Sequence, residues 1–88
     1  MNITVEEARV IATKDGVELA EMTFVNSGKF YIIDHTGVSD AARGLGVGKK
    51  LVAAFVDYSR EKGMKILPIC PFAKSEFEKN SEYKDLMW

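Results

Sequence analysis

Three glycines alternate with other residues in the run Arg43-Gly44-Leu45-Gly46-Val47-Gly48-Lys49-Lys50. Before the run, apolar residues come in β-like blocks; after it they recur with the period of a helix. A chain that changes period across a glycine run turns from strand into helix there. Glycine removes the side chains that would hold a ligand off the backbone. The first turn of a helix also has N–H groups without intrahelical partners and the positive end of the helix dipole. The stretch Val38–Lys50 therefore predicts a socket for a phosphate or pyrophosphate.

The rest of the chain reads around this join. Residues from about Glu7 to Lys14 predict a strand, and Asp15-Gly16 predicts a two-residue hairpin turn. Val17 to Val25 returns, Asn26-Ser27-Gly28 turns again, and Phe30 to Val38 forms the third strand. That strand is apolar at Phe30, Tyr31, Ile32 and Ile33, which predicts a central strand covered on both faces. Val47, Leu51, Val52, Ala54, Phe55 and Tyr58 mark one buried face of a helix over Val47–Lys62, and Gly63 predicts its left-handed stop. Met64 to Ile69 is a short strand. A strand–helix–strand order makes it parallel to the third, through a right-handed crossover. The glycine run then lies at the carboxyl end of a strand, where α/β sheets take ligands. Pro71 predicts the first residue of a helix capped by Cys70, with Phe72 and Phe77 as its anchors. Ser81 predicts the cap of a last turn, and Trp88 is either packed or an exposed handle for a partner. The expected fold class is α+β: an antiparallel meander, then strand–helix–strand with a parallel last pair, then a short C-terminal helix. The 88 residues suit one small domain, 1–88.

Composition narrows the function. A formal net charge of −1 gives no basic footprint for nucleic acid. No apolar run reaches the length of a membrane span and no signal peptide opens the chain, so a cytoplasmic location is the default expectation. The lone Cys70 forms no internal disulfide and cannot hold a metal by itself, so no metal is expected.

Two common phosphate loops do not fit. A Walker loop would need glycine at Arg43 and a hydroxyl residue at Lys50. A dinucleotide fingerprint that begins at Gly44 and Gly46 would need glycine at Lys49. The pattern Arg/Gln-x-x-Gly-x-Gly/Ala is met by Arg43, Gly46 and Gly48. Here the chain resembles the GNAT superfamily of acyl-CoA-dependent N-acetyltransferases. It is most similar to the short, single-domain GNAT-like branch, through Asp34-His35-Thr36, through Leu67-Pro68-Ile69-Cys70-Pro71-Phe72-Ala73-Lys74, and through Glu82-Tyr83-Lys84-Asp85-Leu86. The resemblance runs from Gly16 onward.

The resemblance implies a minimal core whose last two strands splay, with acetyl-CoA or coenzyme A as co-substrate and the loop amides on its pyrophosphate. It implies a thioester oxygen bound in Thr36-Gly37-Val38, by the Val38 amide. The expected carrier-binding residues are Thr36, Val38, Arg43, Gly44, Leu45, Gly46, Val47, Gly48, Lys49, Pro71, Phe72 and Lys74. The family's general-acid tyrosine is replaced by phenylalanine in Phe77-Glu78-Lys79. Cys70, at a helix N-terminus that favours its thiolate, is the candidate substitute, either as acetyl acceptor or as an acid/base. His35 is its candidate partner. The plainer readings are a buried apolar cysteine and a hydrogen-bonded core histidine. Regular alternation puts Asp34 and His35 on opposite faces of the sheet, so they form no dyad.

Longer members of the family carry two helices between their first and second strands. Here Asp15-Gly16 alone joins the first two strands read from the sequence. The acceptor side is expected to be open or completed by a second copy in a homodimer, and an open groove suits a protein or peptide amine. Three functions compete: an acetyltransferase, a non-catalytic acyl-CoA-binding module, and a ligand-free interaction domain that uses Trp88 and an uncovered sheet face.

Overall fold

The computed structural model describes Met1–Trp88. One five-stranded sheet runs in chain order: β1 (Asn2–Val5), β2 (Arg9–Lys14), β3 (Val17–Asn26), β4 (Phe30–Val38) and β5 (Lys65–Pro68). The first four strands pair antiparallel and β5 lies parallel to β4. Helix α1 spans Val47–Lys62 and α2 spans Pro71–Lys79, with short 3-10 turns at Asp40–Ala42 and Ser81–Leu86. The meander and the strand–helix–strand unit are as expected.

Four details differ from the sequence reading. The edge strand β1 was not anticipated; it is short, with every side chain at least partly exposed, so its apolar signal is weak. The β2 strand starts at Arg9 rather than Glu7, because Glu6 N–H turns back to the Arg9 carbonyl at 2.7 Å. The final turn is capped by Asn80, with Ser81 as its first residue. Finally, β4 is central in order yet buried on one face only. Tyr31 and Ile33 are buried while Phe30 and Ile32 are half-exposed.

That one-sided burial organises the core. Within β2 and the middle of β3 alternate residues are buried: Val10 and Ala12, then Ala20, Met22 and Phe24. These meet Val47, Leu51, Val52, Phe55 and Val56 of α1 and Ala73 and Phe77 of α2 in one cluster. Phe55 lies at its centre, with ring centroids 4.4 Å from Phe24 and 5.2 Å from Tyr31. Helix α1 ends where Gly63 adopts φ 67°; Gly63 N–H reaches the Arg60 carbonyl and Met64 N–H the Ser59 carbonyl. This 5→2 and 6→1 pair is a Schellman stop, which needs a residue free to be left-handed.

The C-terminus is tied to α1 and β5. Arg60 grips Asp85 with two bonds of 2.5 and 3.1 Å, and Trp88 N–H reaches the Ile66 carbonyl at 2.9 Å. Trp88 stacks on Phe30 at 4.3 Å while remaining 56% exposed, so it is both packed and accessible. Hydrogen bonds from Arg60 hold the Asp85 carboxyl below its ordinary value. A depressed carboxylate contributes its stabilisation fully above the unfolded value of about 3.9 and loses it as pH falls through the lower folded value. Acid titration of Trp88 fluorescence is therefore expected to show a release step below pH ~3.9, absent in Arg60→Gln. A single acid transition shared by both proteins would contradict this.

Candidate functional site

The site forms where β4 outruns β5. Their ladder covers only Phe30–Ile33 against Lys65–Pro68. The Ile33 carbonyl then accepts both Ile69 and Cys70 N–H groups at 3.1 Å, which ends the pairing. The remainder of β4, Asp34–Val38, continues beside β3 with no strand on its other edge.

A bulge decides which side chains face that gap. Phe24 pairs with Ile33 but Thr23 pairs with His35, so Asp34 is an extra residue. Its carboxylate accepts the Thr23 hydroxyl at 2.5 Å. Pairing partners share a face, so Thr36 and Val38 lie on the helix side with Met22 and Ala20, while His35 goes to the opposite face with Thr23. His35 Nε2 sits 3.4 Å from where a Cβ on Gly37 would be, consistent with that side. Two expectations change. Asp34 reaches the same outer face as His35, although no hydrogen bond or ion pair joins them. The inward slot that regular alternation would give His35 passes to Thr36.

Thr36 is accordingly what Cys70 meets. The Cys70 Sγ donates to Thr36 Oγ1 at 3.4 Å. Cys70 is the N-cap of α2, with Pro71 as its first residue. Cys70 is 6% exposed, and burial pushes the thiol's pKa up. The Thr36 hydroxyl and the amides of Ala73, Phe72 and Thr36 outweigh that and leave it below the ordinary thiol value. In the thiolate form the same hydroxyl turns round to donate. Alkylation of Cys70 is expected to rise with pH through a midpoint below that of an ordinary thiol, and Thr36→Val is expected to move that midpoint upward. An unmoved midpoint would exclude the Thr36 contact.

The glycine run lies beside this gap. A cleft of about 420 Å³ is lined by Val38, Ala42, Arg43, Gly44, Gly46, Val47, Gly48, Lys49 and Phe72. Gly44 and Gly46 have φ 84° and 70°, a left-handed backbone that only glycine adopts cheaply. The chain thereby enters α1 with its first amides exposed to the cleft. The amides of Gly44, Gly46, Val47, Gly48 and Lys49 donate to no acceptor in the protein. The Leu45 amide is different: it bonds to the Ala42 carbonyl at 3.2 Å. With the dipole of a 16-residue helix behind them, these free amides have the chemistry to cradle an anion.

The Val38 amide joins the same region. Ser39 N–H bonds to Leu19, so the alternation of an antiparallel ladder turns Val38 N–H away from β3, toward the open edge. Gly48 serves a purpose not foreseen from sequence. A Cβ there would lie 2.7 Å from the Phe72 ring, so its missing side chain makes room for Phe72 rather than for a ligand. Phe72 is 38% exposed and is a wall of the cleft, not a core anchor.

Other sequence-predicted residues stand apart. Leu45 is 60% exposed and points into a separate hollow with Met1 and Lys14. Pro71 and Lys74 are exposed and line neither this cleft nor its neighbours. Arg43 lines the cleft with its guanidinium 3.2 Å from Asp40. Ala42 was missed by sequence reasoning, since an alanine carries no chemical signal. No group of three or more His, Cys, Asp or Glu side chains is placed to hold a metal, and no helix is long and apolar enough to cross a membrane.

Comparison with known proteins agrees with this architecture. The profile of the GCN5-related N-acetyl-transferase family matches residues 8–86. A GCN5-like candidate N-acetyltransferase from Staphylococcus aureus, solved by NMR, superposes with a TM-score of 0.78 at 39% identity, over 99% of this chain and 87% of that one. A ribosomal-protein-alanine N-acetyltransferase from Brucella melitensis biovar Abortus 2308 shares the fold, with a TM-score of 0.64 at 19% identity. That match covers 81% of this chain and 59% of the Brucella protein. No curated protein matches the chain. A profile match over nearly the whole chain, on a sheet that splays beside a glycine-opened helix, settles the relationship: the chain belongs to the GCN5-related N-acetyltransferase family.

Proposed function

We propose that this protein binds acetyl-CoA and transfers its acetyl group to an amine on a protein or peptide. The observation that carries the reading is the set of unpartnered amides at Gly44 and Gly46–Lys49, opening α1 beside the bare edge of β4. The residues fit the carrier: no Cβ crowds Gly44 or Gly46, and Arg43 and Lys49 add positive charge. Acetyl-CoA supplies the acyl group already activated as a thioester.

The chain's own residues then have distinct tasks. The free amides and Lys49 hold the diphosphate by charge-assisted hydrogen bonds. Phe72 and Val38 guide the arm of the carrier from the cleft into the gap between β4 and β5. Val38 N–H donates to the thioester oxygen, where charge builds as the carbonyl is attacked. Cys70 either attacks the thioester carbon as a thiolate, releasing the CoA thiolate, and is itself released when the amine attacks the acetyl-cysteine; or, as the thiol, it gives its proton to the departing CoA thiolate and takes one back from the acetylated amine. Thr36, not His35, steadies its sulfur. His35 faces away and is assigned no catalytic role. The short β1–β2 and β2–β3 turns leave the acceptor side open, which favours a macromolecular amine or a second copy of the chain as the missing wall.

One observation favours a second reading, a CoA-binding module without transfer. Phe77, which the sequence resemblance puts in the place of the family's tyrosine acid, is fully buried and carries no proton to give. Incubation with acetyl-CoA and a peptide bearing a free amine, followed by mass measurement, separates the two. The proposal expects acetylated peptide that is lost in Cys70→Ala, and an acetyl adduct on Cys70 if it carries the group. Tight CoA binding with no acetyl transfer would leave only the module.

A further inference from the structure

Gly37 is the one glycine of β4, and neither its backbone nor its packing asks for it. Its φ is not left-handed, unlike those of Gly44 and Gly46. A Cβ there would meet only the tip of His35, at an ordinary 3.4 Å, whereas one on Gly48 would strike Phe72. A glycine inside a strand weakens it, and its usual reasons are a bulge, a tight bend or the close approach of a ligand. The bulge of β4 lies earlier, at Asp34. Close approach is the reason that remains.

There is space for an approaching group. Gly37 pairs with Glu21, so both face away from the helices. A hollow of about 280 Å³ lies over Gly37, walled by Glu18, Glu21, Val38 and Ser39. Val38 also lines the glycine-run cleft, so the two hollows meet at the bare edge of β4. Glu21 Oε2 accepts from Arg9 Nη1 at 2.7 Å, and its Oε1 accepts nothing. Glu18 and Glu6 reach the same guanidinium at 3.2 and 3.0 Å. One cation shared among three carboxylates leaves this wall negatively charged.

Resting on the reading of Val38 N–H as the donor to the thioester oxygen, we propose that the acceptor enters across the outer face, over Gly37, and is the amine of a basic peptide. The carrier lies on the helix face and the acceptor on the other, so the two meet only at the gap. With no side chain on Gly37, a peptide backbone can lie against β4 one residue from Val38. Glu21 is a specificity-determining residue: it receives a cationic side chain beside the reacting amine, not the amine itself. Its free Oε1 takes an arginine or lysine donor without breaking the bond to Arg9.

The test uses two peptides of one length with a free α-amine, one carrying arginine at its second and third positions and the other serine. Acetyl transfer from acetyl-CoA is followed by mass measurement. Wild type is expected to favour the arginine peptide roughly tenfold in kcat/KM, the scale of one charge-assisted hydrogen bond. Glu21→Gln is expected to bring that ratio below threefold. Gly37→Val, a residue that suits a strand, is expected to slow transfer to both peptides at least tenfold with CoA affinity within threefold of wild type. Equal wild-type rates on the two peptides, a preference that survives Glu21→Gln, or wild-type transfer by Gly37→Val would each overturn the proposal and leave the transferase reading standing. Wild type that binds CoA and acetylates neither peptide would remove the transferase reading, and this route with it.

Discussion

Gly46→Val is expected to weaken CoA binding about a hundredfold while the chain stays folded. Gly46 caps α1 at φ 70°, and that left-handed turn aims the following amides into the cleft. A β-branched residue there resists the conformation, at ~1–2 kcal/mol or more. The strain is relieved by turning the loop, which withdraws amides from the ligand. Charge-assisted bonds are worth ~1.5–3 kcal/mol each, so the loss of two is about a hundredfold in affinity. Total stability for a chain of this size is ~4–13 kcal/mol, enough to tolerate the strain. Gly63→Val is the control. Gly63 has the same left-handed backbone, φ 67°, at the other end of the same helix. It should lose similar stability and keep its CoA affinity. Gly46→Val binding within threefold of wild type would argue against the cradle.

Phe55→Ala is expected to be the most damaging single truncation. Phe55 is fully buried and packs against Phe24, Tyr31 and Tyr58, the last at a centroid distance of 6.1 Å. Removing such a ring costs ~3–5 kcal/mol, through lost transfer energy and an unfilled cavity. At ~4–8 °C per kcal/mol for a chain of this size, the unfolding midpoint should fall by roughly 12–40 °C. Because α1 carries both Phe55 and the cradle, ligand and core share one element. CoA at a hundred times its Kd should return ~2.7 kcal/mol by mass action. A midpoint within a few degrees of wild type would mean that the sheet and α1 are held together elsewhere.

The sequence exposed those parts that depend on local chemistry. The glycine run, the Pro71 start of α2 and the Gly63 stop each follow from backbone constraints on single residues, and all three stand in the structure. The expected partnership of His35 with Cys70 gives way to Thr36 because a bulge is a property of two strands. Nothing in Asp34-His35-Thr36 alone says that Asp34 will be left without a partner opposite β3. Gly48 reads as open space for the same kind of reason: its neighbour, Phe72, arrives from a different helix. Glu76 of α2 reads as solvated, as a glutamate in an amphipathic helix does, and only tertiary packing buries it.

Amide shifts followed by NMR during titration with CoA test the central claim most directly. The account predicts the largest, saturable changes at Gly44, Gly46, Val47, Gly48 and Lys49, with a smaller change at Leu45, whose N–H is already held by Ala42. Saturating CoA that leaves those five amides unmoved would contradict it.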